Sequence, residues 1–377
     1  MGSLLAPLPA TAARKKNNKK SSYVPPAESA GGWRSLVGRN VTPSTTEKAA
    51  IRETAGIDWD MLKLAQDYNA GFAADTTLLV IRNGWIAGEW GRDDPQKVAS
   101  ISKSLTGLTM MKIFENSRDF SAGKLIRDKN AAWEFLPPEW AAADARRRAI
   151  RFKHLLTMSS GLEPDDEPLQ DHYLDVVLSQ PVRTKPQSEW SYASLPVDLM
   201  AIAAKNITGR SVREVFNTEI ARPIGIPDIR WDSYADGYTL ASSEAWMSAR
   251  DLARIGYLML NKGQWGSRAV VSKKSFKKLV KPAGHLKKTS FVPTPGSPFE
   301  IGADSNKYYG YLWWLNKTGR GLGAEVPKDA FYARGYRESL LAAVPSRDLV
   351  VVRFGQGPIT DDTMRRELMK RVMAALV

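Results

Sequence analysis

Strand signals stand towards both ends of this chain with a long helical stretch between them, and that order admits few architectures. Near the start, Thr76-Thr-Leu-Leu-Val-Ile-Arg82 and Trp85-Ile-Ala-Gly-Glu-Trp90 flank Asn83-Gly84, a pair suited to a type I′ hairpin turn. Near the end, Ser339 to Val344 and Leu349 to Phe354 form a second hairpin across Pro345-Ser-Arg-Asp348, and Tyr308 to Leu315 reads as a further strand. From about 130 to 260 the segments are mainly helical and joined by Pro-rich loops such as Leu136-Pro-Pro138. The expected fold is therefore α/β in the α+β sense. One antiparallel sheet, flanked by helices, is built from both chain ends, and an all-helical lobe lies across a cleft from it.

The boundaries follow from composition and periodicity. Residues 1 to about 45 are rich in Ala, Ser, Pro, Gly and Lys and are expected to be a mobile leader. Residues 46–377 are expected to form a single catalytic domain. Its α/β lobe would take about 46–110 and 247–377, and its helical lobe about 111–246. Regular structure should begin with a helix near Trp59 to Tyr68, followed after the first hairpin by an apolar helix from Ser100 to Phe114. The last element should be a helix from Asp361 to Leu376 with Thr360 as its N-cap.

Composition excludes several chemistries. There is no cysteine, so disulfides, thiolate metal sites and cysteine nucleophiles are absent. No pattern of histidines or carboxylates suggests a metal, and no cofactor is expected. The formal charge of +14 sits in short separated clusters: Arg14 to Lys20, Arg146 to Lys153 and Lys273 to Lys281. No nucleic-acid module accompanies them, so they read as solvated basic faces and no nucleic-acid partner is expected. No run approaches the ~18 apolar residues of a membrane span. The opening residues lack the positive n-region of a signal peptide, which leaves cytoplasmic and exported locations both open, as is the oligomeric state.

With three histidines (His154, His172 and His285) and no Gly-x-Ser-x-Gly elbow, a Ser-His-Asp triad has little support. His154, at helical spacing in Phe152-Lys-His-Leu-Leu156, reads as a packing or capping residue. Lysine is the alternative base. In Ser-x-x-Lys on a helix the lysine lies one turn after the serine on the same face, where burial can lower its pKa. The chain holds three such matches: Ser100/Lys103, Ser121/Lys124 and Ser275/Lys278. Ser121 sits in a polar, Gly-containing stretch and Ser275 in a Lys-rich run, whereas Ser100 opens the apolar helix. Standing alone, Ser100 could equally be an N-cap.

It does not stand alone. Val98-Ala-Ser-Ile-Ser-Lys-Ser-Leu-Thr-Gly107 resembles the nucleophile segment of the superfamily of serine β-lactamases, penicillin-binding proteins and D,D-peptidases, which also holds esterases and amidases. Phe152-Lys-His-Leu-Leu-Thr-Met-Ser-Ser-Gly-Leu162 resembles a structural segment of that family, and Trp190-Ser-Tyr-Ala-Ser194 its Tyr-x-Asn motif. Ser248 to Tyr257, Tyr309-Gly-Tyr-Leu-Trp-Trp314 and Ala333-Arg-Gly-Tyr336 follow in the family's order.

The resemblance implies a hydrolase with Ser100 as nucleophile and Lys103 and Tyr192 as proton-transfer partners. The backbone N–H groups of Ser100 and Tyr336 would form an oxyanion hole. Ser194, Arg334, Gly335 and Arg337 would contact a small ester or amide substrate, and among the tryptophans Trp190, two residues before Tyr192, is the one expected to join them. Two departures stand out: Ser194 replaces the motif's Asn, and Ala333-Arg-Gly335 replaces the Lys-Thr-Gly of β-lactamases. Both point away from β-lactams. In character the chain is closest to the family VIII carboxylesterases and 6-aminohexanoate-dimer hydrolases. A β-lactamase or D,D-peptidase, an acyltransferase and a catalytically silent binding protein remain the alternatives.

Overall fold

The computed structural model describes residues 23–164, 173–295, 302, 304–355 and 363–377. Helix α1 (Thr45–Ala55) starts at a capping box, in which the Ser44 hydroxyl accepts from the Glu47 N–H and the Glu47 carboxylate accepts from the Ser44 N–H. Helix α2 (Trp59–Ala70) is capped by the Asp58 carboxylate. Strands β1 (Thr77–Arg82) and β2 (Trp85–Trp90) then turn at Asn83 and Gly84, whose φ values of 54° and 77° are the left-handed pair that a type I′ turn requires. The remaining elements that frame the site are α3 (Ile101–Glu115), α4 (Leu195–Thr208), α5 (Ala249–Leu260), β3 (Trp314–Leu315), β4 (Phe331–Gly335), β5 (Ser339–Val344), β6 (Leu349–Phe354) and α6 (Thr363–Ala374).

The six strands form one sheet in the order β2-β1-β6-β5-β4-β3, each neighbouring pair antiparallel. The two ends of the chain meet where β1 pairs with β6, from Thr77 opposite Phe354 to Arg82 opposite Leu349. Every residue of β5 and β6 is buried, because helices cover both faces. On one face α5 approaches closely at Gly256, where an added Cβ would stand 2.8 Å from Leu341 and Val350. The other face carries Arg353, whose guanidinium reaches Asn69 of α2 at 2.9 Å. The middle of the chain supplies α4 and several short helices, as its apolar periodicity predicts. No helix among the described residues is long and apolar enough to cross a membrane.

Two expectations change. Residues 23–44 are not a mobile leader. Trp33 is 4% exposed and meets Tyr257 of α5 edge-on at 5.3 Å. The buried Arg254 guanidinium donates to the Pro25 carbonyl at 2.9 Å and to Glu28 at 2.7 Å, while Glu89 of β2 pairs with Arg39 and Arg250 at 3.0 and 2.7 Å. The first 22 residues, with their basic cluster, lie outside the described residues, as do Thr360 and Asp361, where the final helix is expected to begin. The expected strand from Tyr308 to Leu315 shrinks to Trp314–Leu315, because Leu312 adopts φ 60° and breaks the extended run.

The β4–β5 connection is unusual. Arg337 and Glu338 both take left-handed φ, 60° and 62°, at a cost of roughly 1–2 kcal/mol each for a side-chain-bearing residue. Two buried arginines hold them there: Arg353 donates to the Arg337 carbonyl at 2.6 Å, and Arg365 of α6 to the Glu338 carboxylate at 2.8 Å. Removing one partner of such a pair strands the other charge. Arg365→Ala is expected to cost about 3–5 kcal/mol in chemical denaturation, and the combined Glu338→Leu/Arg365→Met variant far less.

Candidate active site

The chain enters α3 through a forced turn. Val98 is tied to Ala245 by its N–H at 2.9 Å, and Ala99 then adopts φ 49°. That conformation swings the chain so that Ser100 opens the helix. The Ser100 side chain makes no capping hydrogen bond, so the N-cap alternative falls away and the hydroxyl is left for other partners.

One turn on, Lys103 is 2% exposed. Its amine lies 3.1 Å from the Ser100 hydroxyl, 3.0 Å from the Ser194 hydroxyl and 3.1 Å from the Ser242 carbonyl. Three oxygens thus meet the three hydrogens of a lysine ammonium. The same amine stands 5.0 Å from the centre of the Tyr192 ring.

Tyr192 is held by main chain on one side and aromatic rings on the other. The Thr294 hydroxyl donates to its carbonyl, and the neighbouring Ser191 N–H donates to the Met158 carbonyl at 3.1 Å. Its ring packs 5.3 Å from Trp314 and 6.4 Å from Tyr309. Tyr309 is wholly enclosed, and burial pushes its phenol well above the ordinary range, with the neighbouring Tyr192 adding to the effect.

The β4 strand lies against the turn that leads into Ser100. A Cβ on Gly335 would stand 2.4 Å from the Val98 carbonyl and 3.3 Å from the Ser100 nitrogen, so only glycine fits. Gly335 thereby lies against the residues that lead into Ser100, and Tyr336 lies at the surface with 39% exposure. Beyond Phe331 and Tyr332, which pair with β3, the rest of β4 has no strand on that side among the described residues.

The sequence-derived candidates divide. Ser100, Lys103, Tyr192 and Ser194 converge, and Gly335 and Tyr336 border them. Arg334 is 8% exposed and stacks 4.9 Å over Trp314, on the aromatic wall of Tyr192. Arg337 is exposed on the left-handed turn, over Tyr336 at 5.4 Å. Trp190 is a correction. It is fully buried behind Tyr192, between Phe291 and Tyr309, and has no face left for a substrate. Its place in a short strand pair with Phe291 turns it inward.

The other two Ser-x-x-Lys pairs are structural. Lys278 pairs with Asp128 at 2.7 Å, and Lys124 leans towards Glu134 at 4.0 Å. His154 is the capping residue expected of it, its Nδ1 accepting the Arg151 N–H at 3.1 Å. His285 bonds Thr157 and Ser159 at 3.1 and 3.2 Å, and His172 lies outside the described residues. Among the described residues no group of three His, Cys, Asp or Glu could hold a metal ion.

Two outcomes follow from these contacts. Gly335→Ala forces main chain apart and is expected to cost about 1–3 kcal/mol, read as a lowered Tm. Burial, then the charges of Lys153, His285 and Arg151, depress the His154 pKa from 6.5 to about 3. The unfolded chain therefore binds this proton first, so the His154 contribution to stability is complete above pH 6.5 and is lost as pH falls towards about 3. Denaturation midpoints across that window should fall less steeply for His154→Asn, whose side-chain oxygen can replace the Nδ1 acceptor.

A family model, a curated relative and solved structures all match this chain. The Beta-lactamase family model matches residues 64–374. An uncharacterized protein of Alkalihalophilus pseudofirmus is 26% identical over 225 residues, which is 53% of this chain and 59% of that protein. The chain thus spans less than two thirds of that relative. Among solved structures, a Bacteroides dorei protein assigned as a beta-lactamase superposes with a TM-score of 0.66 at 15% identity, covering 84% of this chain and 99% of the other. A Bacillus anthracis protein assigned as a 6-aminohexanoate-dimer hydrolase gives 0.62 at 19% identity, over 83% and 80%. At these identities the two structures speak for the fold alone.

Proposed function

The chain belongs to the beta-lactamase family, a family of serine hydrolases, and from that premise we propose that it cleaves a carboxylic ester or amide through an acyl-enzyme on Ser100. The observation that carries the reading is the buried Lys103 amine, 3.1 Å from the Ser100 hydroxyl and beneath the Tyr192 ring.

The Ser100 Oγ attacks the acyl carbon while its proton passes to Tyr192 and Lys103. The carbonyl oxygen gains the negative charge, and the N–H groups of Ser100 and Tyr336 receive it. Preorganised donors of this kind are worth about 3–4 kcal/mol each, because they need not reorient as the charge develops. The tetrahedral adduct collapses, the bond to the leaving group breaks, and that group takes the proton back from the Tyr192–Lys103 pair. Water then adds to the acyl carbon, gives its proton to the same pair and releases the acid, with the proton returning to Ser100.

Preference for esters or simple amides over β-lactams rests on β4. Ala333 is buried and apolar where a β-lactamase carries lysine, so it offers no charge to a β-lactam carboxylate. Arg334, the next residue, points to the opposite face of the strand and stacks on Trp314.

The test is turnover of a short-chain nitrophenyl ester and of a chromogenic cephalosporin by wild type, Ser100→Ala and Tyr192→Phe. Wild type is expected to hydrolyse the ester and leave the cephalosporin. Ser100→Ala should fall to background, and Tyr192→Phe should lose about 10²–10⁴-fold in kcat while melting normally. Rapid cephalosporin turnover would reverse the substrate assignment. Full activity in Ser100→Ala would remove the nucleophile.

A further inference from the structure

A lysine that exchanges a proton with Ser100 needs its nitrogen aimed, and its flexible four-carbon stem does not do this by itself. Protonated, the Lys103 nitrogen has three hydrogens for its three acceptors; neutral, it has two and a lone pair. Two of those acceptors, Ser100 and Ser194, are hydroxyls that can also donate, whereas the Ser242 carbonyl can only accept. The carbonyl therefore holds one N–H in either state and leaves the rest of the nitrogen to face the hydroxyls.

Ser242 lies in a turn, outside any helix or strand. Its orientation has an identifiable cause. Asp198, one helical turn along α4 from Ser194, is 1% exposed and accepts from both the N–H and the hydroxyl of Ser242, each at 2.8 Å. The flanking residues are strapped to α3. The Thr106 hydroxyl donates to the Ala241 carbonyl at 2.6 Å, and the Ser102 hydroxyl accepts from the Ala245 N–H at 3.2 Å. A buried carboxylate is costly unless hydrogen-bonded. This one takes both donors of a residue whose remaining polar atom faces Lys103.

We propose that Asp198 is a positioning residue of the active site, fixing the Ser242 carbonyl so that Lys103 stays directed at Ser100. The proposal rests on the acyl-enzyme reading. Asp198 reaches the lysine through Ser242, and Ser194 on the same helix touches it directly. A displacement of the order of 1 Å at a reacting group can cost about 10²-fold in rate.

The experiment compares Asp198→Ala, Asp198→Asn and Ser242→Ala in ester hydrolysis. Asparagine can accept from the Ser242 N–H and donate to its hydroxyl, so it keeps both hydrogen bonds without the charge. Asp198→Ala is expected to lose about 10²-fold in kcat with KM within about twofold, and Asp198→Asn to stay within about fivefold of wild type. Wild-type kcat in Asp198→Ala overturns the proposal, and so does an asparagine variant as impaired as alanine.

Should Asp198→Ala fail to fold, Ser242→Ala decides, since it removes one bond and keeps the main chain. A loss of about 3- to 10-fold in kcat at constant KM supports the proposal, and no loss overturns it. A wild type that hydrolyses neither a short-chain ester nor a simple amide would refute the acyl-enzyme reading on its own. The positioning is then read from a crystal structure of Ser242→Ala or Asp198→Ala: a carbonyl of residue 242 moved out of hydrogen-bond range of Lys103 supports it, and one still at 3.1 Å overturns it.

Discussion

The burial of the Lys103 amine is the constraint on which the rest of the site depends. A nitrogen of this kind, 2% exposed, must find oxygens inside the protein to replace those of water. Its three acceptors come from three separate places: the start of α3, the start of α4 and the turn at Ser242. One side chain therefore requires the helical middle of the chain to sit at a fixed position on the sheet-bearing part. The hydroxyls of Ser102, Ser104 and Thr106 reinforce this along the same helix, each bonded to a distant main-chain group. That accounts for an unusual helix, apolar in overall character yet lined with buried hydroxyls that all have work to do for the main chain around them.

What could be read from the residues was whatever rests on local chemistry. Asn83-Gly84 turns a hairpin because glycine and asparagine tolerate left-handed φ, and nothing distant is needed to see it. Ser100 and Lys103 stand one helical turn apart in an apolar run, so their proximity follows from helix geometry alone. Tyr192 came from order along the chain, and the structure puts its ring beside the same lysine. The packing of residues 23–44 was not legible, because it hangs on single residues such as Glu28 and Trp33. Their partners Arg250, Arg254 and Tyr257 lie far along the chain, and the local composition is that of a loop. Ser242 left no trace either, since its contribution is a main-chain carbonyl that any residue carries.

The aromatic wall explains both the stiffness of Tyr192 and the misplacement of Trp190. Tyr309 and Trp314 pack edge to face at 4.8 Å, Trp314 stacks on Tyr332 at 6.2 Å, and Trp190 closes the group from behind at 5.5 Å from Tyr309. Rings of this size have few rotamers and interlock, so a phenol set against them has little freedom to wander. Trp190 stands two positions before Tyr192, and that nearness is the ground on which it is expected to meet the substrate. The intervening bonds to Met158 and Thr294 instead fold the segment so that one ring supports the other.

The pairing of β1 with β6 has a consequence for the birth of the molecule. On the ribosome, β1, β2 and α3 emerge long before β6, the strand that must lie beside β1. At about 5–20 residues per second, the early hairpin waits many seconds with one edge unpaired. Throughout that wait the edge of β1 that takes β6 stays open, and an open apolar edge is where chains associate with one another. A fold wired in this way needs its early hairpin sheltered until β6 arrives.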